Sequence, residues 1–217
     1  MGSKNSTATK RADALRSIDA IVQAAAECLG RNPEASLSEI ARAAGVGRVT
    51  LYAHFNSRAE VVDAAMSRAI DRGNEVLDTV DLTGDPLLAL ARYIEAGWHL
   101  VDEARALLAA AQRELSAGRI RELHAGPAAR VEALVARGRA EGAFRTDLPL
   151  AWMVNVLHAV MHSAAEEIRA GRLTSDHAAD HITATVLAAF TPPGKPVPET
   201  SAGPACDPPR RSRDFES

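Results

Sequence analysis

Cysteine is almost absent from this chain: Cys28 and Cys206 stand far apart and outside any CxxC pair. That excludes a disulfide framework and leaves structural zinc without its usual ligand pattern. No run of about 18 uncharged apolar residues occurs. The opening MGSKNSTATKRADALR has no apolar stretch of the signal-peptide kind, so a cytoplasmic location with no membrane partner is expected. Strand-like alternation is missing too, and with it any GxGxxG after a strand, any GxSxG elbow and any glycine-rich phosphate loop. No catalytic residue, cofactor or metal is expected. Aromatic residues are scarce, eight in 217 positions, which makes their placement informative.

What is present is helical periodicity nearly everywhere. Ala14, Ile18, Ile21, Val22, Ala25, Cys28 and Leu29 repeat at three and four residues, which puts Cys28 on the buried stripe of a first helix. Asn32-Pro33 ends it, and Ser36 with Glu39 forms the S-x-x-E box that starts a second. A third helix is short. Ser57 and Glu60 repeat the box before a fourth, whose Val62, Met66, Ala69, Gly73, Val76 and Val80 keep helical spacing. Asp85-Pro86 opens a fifth helix as cap and first residue. A sixth is expected at about 105–117, a seventh from Gly126-Pro127 to about Glu141, and an eighth at 151–168, apolar on nearly all sides and so buried on more than one face. A ninth, capped by Thr174 or Ser175, ends near Phe190. From Pro192 onward lie seven of the eleven prolines, a composition suited to a disordered tail. The expected class is therefore all-α with about nine helices. Its expected parts are a flexible arm at 1–11, a small helical domain at 12–57, a larger helical domain at 58–191 and a tail at 192–217.

Charge is divided unevenly between these parts. Residues 1–60 carry eight Lys/Arg against six acids, while the whole chain has net charge −3, so the head is basic and the body acidic. A polyanion, if one binds, meets the head.

The stretch GVGRVTLYAHF, residues 45–55, concentrates the unusual residues. Two helices joined through Ala44-Gly45-Val46 have the spacing of a helix-turn-helix, in which the second helix lies in the DNA major groove. Gly45 supplies the left-handed backbone that such a turn needs. At 100° per residue, Leu51 and Phe55 share the inner side, while Val49, Thr50, Tyr52 and Ala53 are turned outward. Arg48 projects from the first turn, able to make a bidentate contact to guanine, and Val49 and Ala53 can touch thymine methyls. Thr50, Tyr52, His54 and Arg58 are donors suited to phosphate. With the cap residue Ser36, these complete the candidate DNA-binding set.

GVGRVTLYAHFNSRAEVV resembles the end of the helix-turn-helix of the TetR family of bacterial transcriptional regulators, roughly G-V-S-x-x-T-L-Y-x-H-F-x-S-K/R-x-x-L. The likeness extends back through SLSEIARAA to about residue 12 and on to 66; beyond that only helix count and the phrase RGRAEGAFRTDLP before the eighth helix are similar. The resemblance implies a homodimer that binds a palindromic double-stranded DNA operator until a small-molecule effector enters the larger domain; pairing through the eighth and ninth helices is expected because one domain cannot shield Trp152, Val156, Val160 and Ala164 together. The resemblance also implies that Arg48, Val49 and Ala53 meet bases while Thr50, Tyr52, His54 and Arg58 hold the backbone. Gly47 departs from the pattern, standing where serine is usual and removing a cap and a phosphate donor.

In the second domain Tyr93, Trp98, His99, Phe144, Trp152, Met153, Asn155 and His158 are the larger or polar side chains from which a mainly apolar ligand cavity is expected to draw several members. Two histidine pairs have i, i+4 spacing, His158 with His162 and His177 with His181, and Glu166 extends the first. Without HExxH or cysteine ligands they suit a pocket lining or a dimer face better than a metal site. The competing function is a ligand-binding or scaffolding helical dimer that does not read DNA, against which stands the intact set Arg48, Tyr52, His54 and Arg58.

Overall fold

A computed structural model describes residues 3–197 of the chain, with side chains from residue 12 onward. The arm expected at residues 1–11 falls outside the described side chains, and the tail from residue 198, with Cys206, lies outside the described residues. Ten α-helices follow one another: α1 (Ser3–Arg31), α2 (Leu37–Ala43), α3 (Arg48–His54), α4 (Arg58–Leu77), α5 (Pro86–Glu103), α6 (Arg105–Glu114), α7 (Ala117–Leu123), α8 (Ala125–Ala140), α9 (Leu150–Arg169) and α10 (Ala178–Phe190). No strand occurs among the described residues, and no helix there is long and apolar enough to cross a membrane.

Local chemistry fixes most helix starts. Ser36 Oγ accepts from the Glu39 N–H at 3.3 Å while the Glu39 carboxylate accepts from the Ser36 N–H at 2.7 Å, completing the capping box. At α4 the box is only half formed. Ser57 Oγ accepts from the Glu60 N–H at 3.2 Å, but the Glu60 carboxylate reaches one residue further back, to the Asn56 N–H at 2.8 Å. Asp85 caps α5 by accepting from the Leu87 and Leu88 N–H groups, with Pro86 at the first position.

The helix count exceeds the expected nine because Ser116 caps a short α7, accepting from the Arg119 N–H at 3.1 Å. Pro127, expected at the start of a helix, sits in the first turn of α8, where its missing N–H costs no helical bond. Thr174 and Ser175 do not cap the last helix directly. They open a 3-10 turn, Ser175–His177, and α10 starts after it.

Two apolar cores result. The first joins Ile21, Leu29, Ile40, Leu51 and Phe55 to Val61, Val62 and Met66 of α4, and to Leu107, Leu108 and Ala111 of α6. The second gathers α5, α8, α9 and α10 around Trp98, Phe144, Leu157 and Phe190, with Leu77 from the far end of α4. Thus α4 belongs to both cores, and α6 plugs the head from the body side. Within the second core Gly138 seats the Phe144 ring: a Cβ at Gly138 would overlap that ring and stand 3.0 Å from Pro86 Cβ.

Candidate nucleic-acid interface and ligand cavity

Between α2 and α3 the chain turns as anticipated. Gly45 has φ 69°, its N–H donates to Arg42 O at 3.2 Å, and the Val46 N–H donates to Ala41 O at 3.0 Å. This is the paired-bond helix end that a left-handed glycine permits. Ala41 is buried where the helices cross, and Leu51 and Phe55 are buried beneath α3. The opposite side is bare: Val49 is 85% exposed and Tyr52 is 54% exposed, with Ala53 exposed beside them and Thr50 and His54 half-buried. An exposed valine and tyrosine on a seven-residue helix have no packing role here.

Arg48 is already positioned. Its Nε donates to Ser38 Oγ of α2 at 2.8 Å, and a second guanidinium nitrogen contacts the same hydroxyl. Gly47 occupies the N-cap of α3 with no side-chain bond to the helix start. Ser36 is exposed, though its hydroxyl is engaged with the Glu39 carboxylate at 2.7 Å. Arg58 has a different surrounding from the others in the set. Its Nε donates to Glu114 Oε1 at 2.9 Å, another nitrogen donates to Pro33 O at 2.7 Å, and a third donates to Ala35 O. The guanidinium is turned inward, tying α4 to α6 and to the loop before α2.

Further ion pairs link the same parts. Arg119 of α7 grips Asp63 of α4 through two bonds of 2.7 and 3.0 Å, and Arg113 of α6 pairs with Glu34. None of these was read from the sequence, because each joins residues whose proximity exists only after folding.

A cavity of about 100 Å³ lies where α4, α5, α6, α9 and the start of α8 converge. Met66, Ala69, Ile70, Gly73 and Leu77 of α4 form one wall, and Gly97, Leu100 and Val101 of α5 another. Of the eight side chains proposed to line a cavity, Tyr93 and His158 do so. Trp98, Phe144 and Met153 are buried in the second core instead, each 1% exposed, because they fill space between helices rather than border the void. His99 faces outward against Glu95 at 3.1 Å, and Asn155 and Trp152 lie on the exposed side of α9. The cavity's remaining polar members, His124 and His162, come from the α8 cap and from α9. His124 has no partner at helical spacing, so nothing in the sequence marks it.

Burial governs the ionisation here. It lowers His158 to about 4, aided by repulsion from His124 and His162, and it also lowers His162. Burial pushes the Tyr93 phenol up to about 12. Among the described residues no group of three or more His, Cys, Asp or Glu is arranged to hold a metal ion.

The geometry defines an all-helical protein with an exposed reading helix on a small head and a cavity in a larger body. Residues 21–65 match the family model for bacterial regulatory proteins of the tetR family. A curated relative, the HTH-type transcriptional repressor LfrR of Mycolicibacterium smegmatis, is 36% identical over 78 residues, which make up 36% of this chain and 41% of that repressor. The chain thus matches about two-fifths of that relative's length in this comparison. The structure of LfrR from Mycobacterium smegmatis in complex with proflavine is 28% identical with TM-score 0.59, covering 79% of this chain and 94% of that one. A TetR-family transcriptional regulator from Agrobacterium tumefaciens shares the fold at 22% identity and TM-score 0.63, covering 82% of this chain and 99% of that one. Residues 21–65 thus resemble the tetR family of bacterial regulatory proteins, and the described chain has the all-helical arrangement of a small head on a larger body.

Proposed function

We propose that this protein is a homodimeric transcriptional repressor that binds a palindromic DNA operator through α3 and leaves it when a small molecule occupies the cavity. The observation that carries the proposal is the bare outer side of α3. Val49, Tyr52 and Ala53 are exposed without a packing role, Arg48 is braced by Ser38 at the groove-facing end, and the half-buried Thr50 and His54 flank them. Arg48 is assigned to a guanine and Val49 and Ala53 to thymine methyls, while Thr50, Tyr52 and His54 hold phosphates. Arg58 is assigned to the brace between head and body.

Pairing is assigned to α9 and α10. Trp152 is 54% exposed, and Asn155, Ala159 and Ser163 continue its face along α9, as His181, Thr185 and Ala188 do on α10. Joining this face to its copy forms an isologous four-helix bundle and sets two reading helices about one DNA turn apart. Release is assigned to α4. The helix starts at Arg58 beside the head and borders the cavity from Met66 to Leu77, so displacement of its far end moves the near one. That LfrR was solved in complex with proflavine supports a small-molecule effector.

A mobility shift on genomic fragments tests the proposal. The wild-type chain is expected to retard a subset of fragments, and Tyr52→Ala to weaken binding to all of them. Equal retardation of every fragment by the wild-type chain would favour a helical dimer that does not read sequence.

A further inference from the structure

Three imidazoles meet at one end of the cavity, and their arrangement specifies a ligand chemistry. The rings of His124 and His162 stand edge to face with centroids 5.9 Å apart, and His158 lies one turn before His162 on α9. His124 Nδ1 lies 2.8 Å from Ile120 O, a carbonyl that can only accept, so Nδ1 carries a hydrogen and Nε2 is the nitrogen left to meet a ligand. His162 Nδ1 is buried and has no partner in the protein.

The rest of the lining offers little that is polar. Tyr93 donates its hydroxyl to Pro127 O at 3.2 Å, and the other contributions of α4, α5 and α6 are hydrocarbon or thioether. Among the described residues no Asp, Glu, Lys or Arg lines the cavity. Glu166, exposed one turn beyond His162, and Arg130 of α8, engaged by Asp78 at 2.9 Å and Asn74 at 2.7 Å, are the charges that act on the cavity's His162 and Tyr93.

We infer that the cavity takes a small organic acid, an apolar chain or ring bearing one carboxyl, whose carboxylate pairs with an imidazole of this cluster as that imidazole takes up a proton. The inference rests on the cavity being the effector site. An organic cation finds no carboxylate here, and burying it alone is costly. A carboxylate can create its own counter-charge: RCOO⁻ plus H⁺ plus neutral histidine gives RCOO⁻ against imidazolium, with the proton drawn from solvent. Burial opposes the charging of His158 and His162, and repulsion from the neighbouring imidazoles adds to it, until a carboxylate supplies the counter-charge. Two carboxylate oxygens also match the need, since His162 Nδ1 and a second ring nitrogen can each meet one. Met66 and Met161 on the wall are unbranched and adaptable, so they can move aside for a chain larger than the empty volume.

The test is calorimetric titration of the full chain with octanoate, octanol and octylamine, in phosphate and in Tris, between pH 6.5 and 8. Octanoate is expected to bind tightest, with about one proton taken up per chain and affinity rising roughly tenfold for each unit of falling pH. Octanol should bind more weakly without proton uptake, and octylamine not at all. His162→Gln and His158→Gln, each checked for native helix content, should bring octanoate down toward octanol. Octanol or octylamine binding as well as octanoate, octanoate heats independent of the buffer, or no binding by any of the three would overturn the inference. DNA is absent from this titration. Octanoate that binds with proton uptake yet leaves DNA affinity unchanged would therefore overturn release by the cavity and keep the ligand class.

Discussion

Arg58, the first residue of α4, donates to Glu114, the last residue of α6, across 2.9 Å, while its other nitrogens hold the carbonyls of Pro33 and Ala35. Both side chains are mostly covered, so the pair is screened less than a surface bridge. The contact joins the helix that borders the cavity to the loop that leads into α2. Arg58→Ala leaves a carboxylate and two carbonyls without their donor, and a loss of roughly 1–3 kcal/mol in stability is expected. Glu114→Ala should reproduce much of it. The slope of DNA affinity against salt should stay within a fraction of a unit of the wild type. A slope lowered by about one for Arg58→Ala, with Glu114→Ala silent, would return Arg58 to the phosphate backbone.

Arg48 and Tyr52 should fail differently. Loss of a bidentate guanine contact costs roughly 1–3 kcal/mol and relaxes one operator position, whereas loss of a phosphate contact weakens binding to all sequences alike. Arg48→Ala is expected to show the first signature and Tyr52→Ala the second, in competition assays on operator and random DNA. Ser38→Ala should show a weaker form of the Arg48 signature, because Ser38 holds that guanidinium.

Gly47→Ser is expected to tighten DNA binding generally. Gly47 has φ −71° and ψ 152°, which serine adopts without strain, and the nearest atom to a new Cβ is Thr50 Oγ1 at 3.9 Å. A serine there can cap α3, a gain of only a few tenths of a kcal/mol over glycine, and it adds a hydroxyl toward the backbone. Several-fold tighter binding on specific and random DNA, with little change in melting temperature, is the expected pair of results.

Much of this site could be read before folding, and the exceptions share a cause. Helix starts at Ser36, Ser57 and Asp85, the left-handed turn at Gly45 and the outward set on α3 depend on neighbours within a few residues, so spacing reveals them. The cavity does not. Trp98 and Phe144 are large and apolar like true lining residues, yet packing consumes them, whereas Gly97 lines the void with no side chain of its own and leaves room for Met161 Cε, 3.1 Å from where its Cβ would stand. His124 meets His162 because it caps α8, which packs against α9, and α7 just before it buries no residue that an apolar stripe could mark. Arg58 matched a family position by sequence, but its surroundings depend on where α6 lands.

Gly138→Ala should be severely destabilising, since its methyl group would overlap the Phe144 ring. Overpacking of this kind costs typically about 1–3 kcal/mol or more. Thermal denaturation should place it well below the wild type, and Phe144→Leu in the same chain should recover part of the loss.

Stability should also fall with acid through the cavity histidines. His158 is held near about 4, below the ordinary value of 6.5, so the unfolded chain binds the proton first. Its contribution is present above pH about 6.5, is lost progressively as pH falls toward about 4, and changes no further below that. The full loss is on the order of 3 kcal/mol. His162 acts in the same direction. Denaturant midpoints measured from pH 7.5 to 4 should drop less steeply for His158→Gln than for the wild type.

Selection and sequencing of genomic fragments bound by the full chain tests whether α3 reads a palindromic operator as one half of a dimer. The predicted result is an enriched inverted repeat with a G in each half-site and half-site centres about one helical turn apart, lost in Arg48→Ala. Bound fragments with no shared sequence, or a single unrepeated half-site, would contradict it.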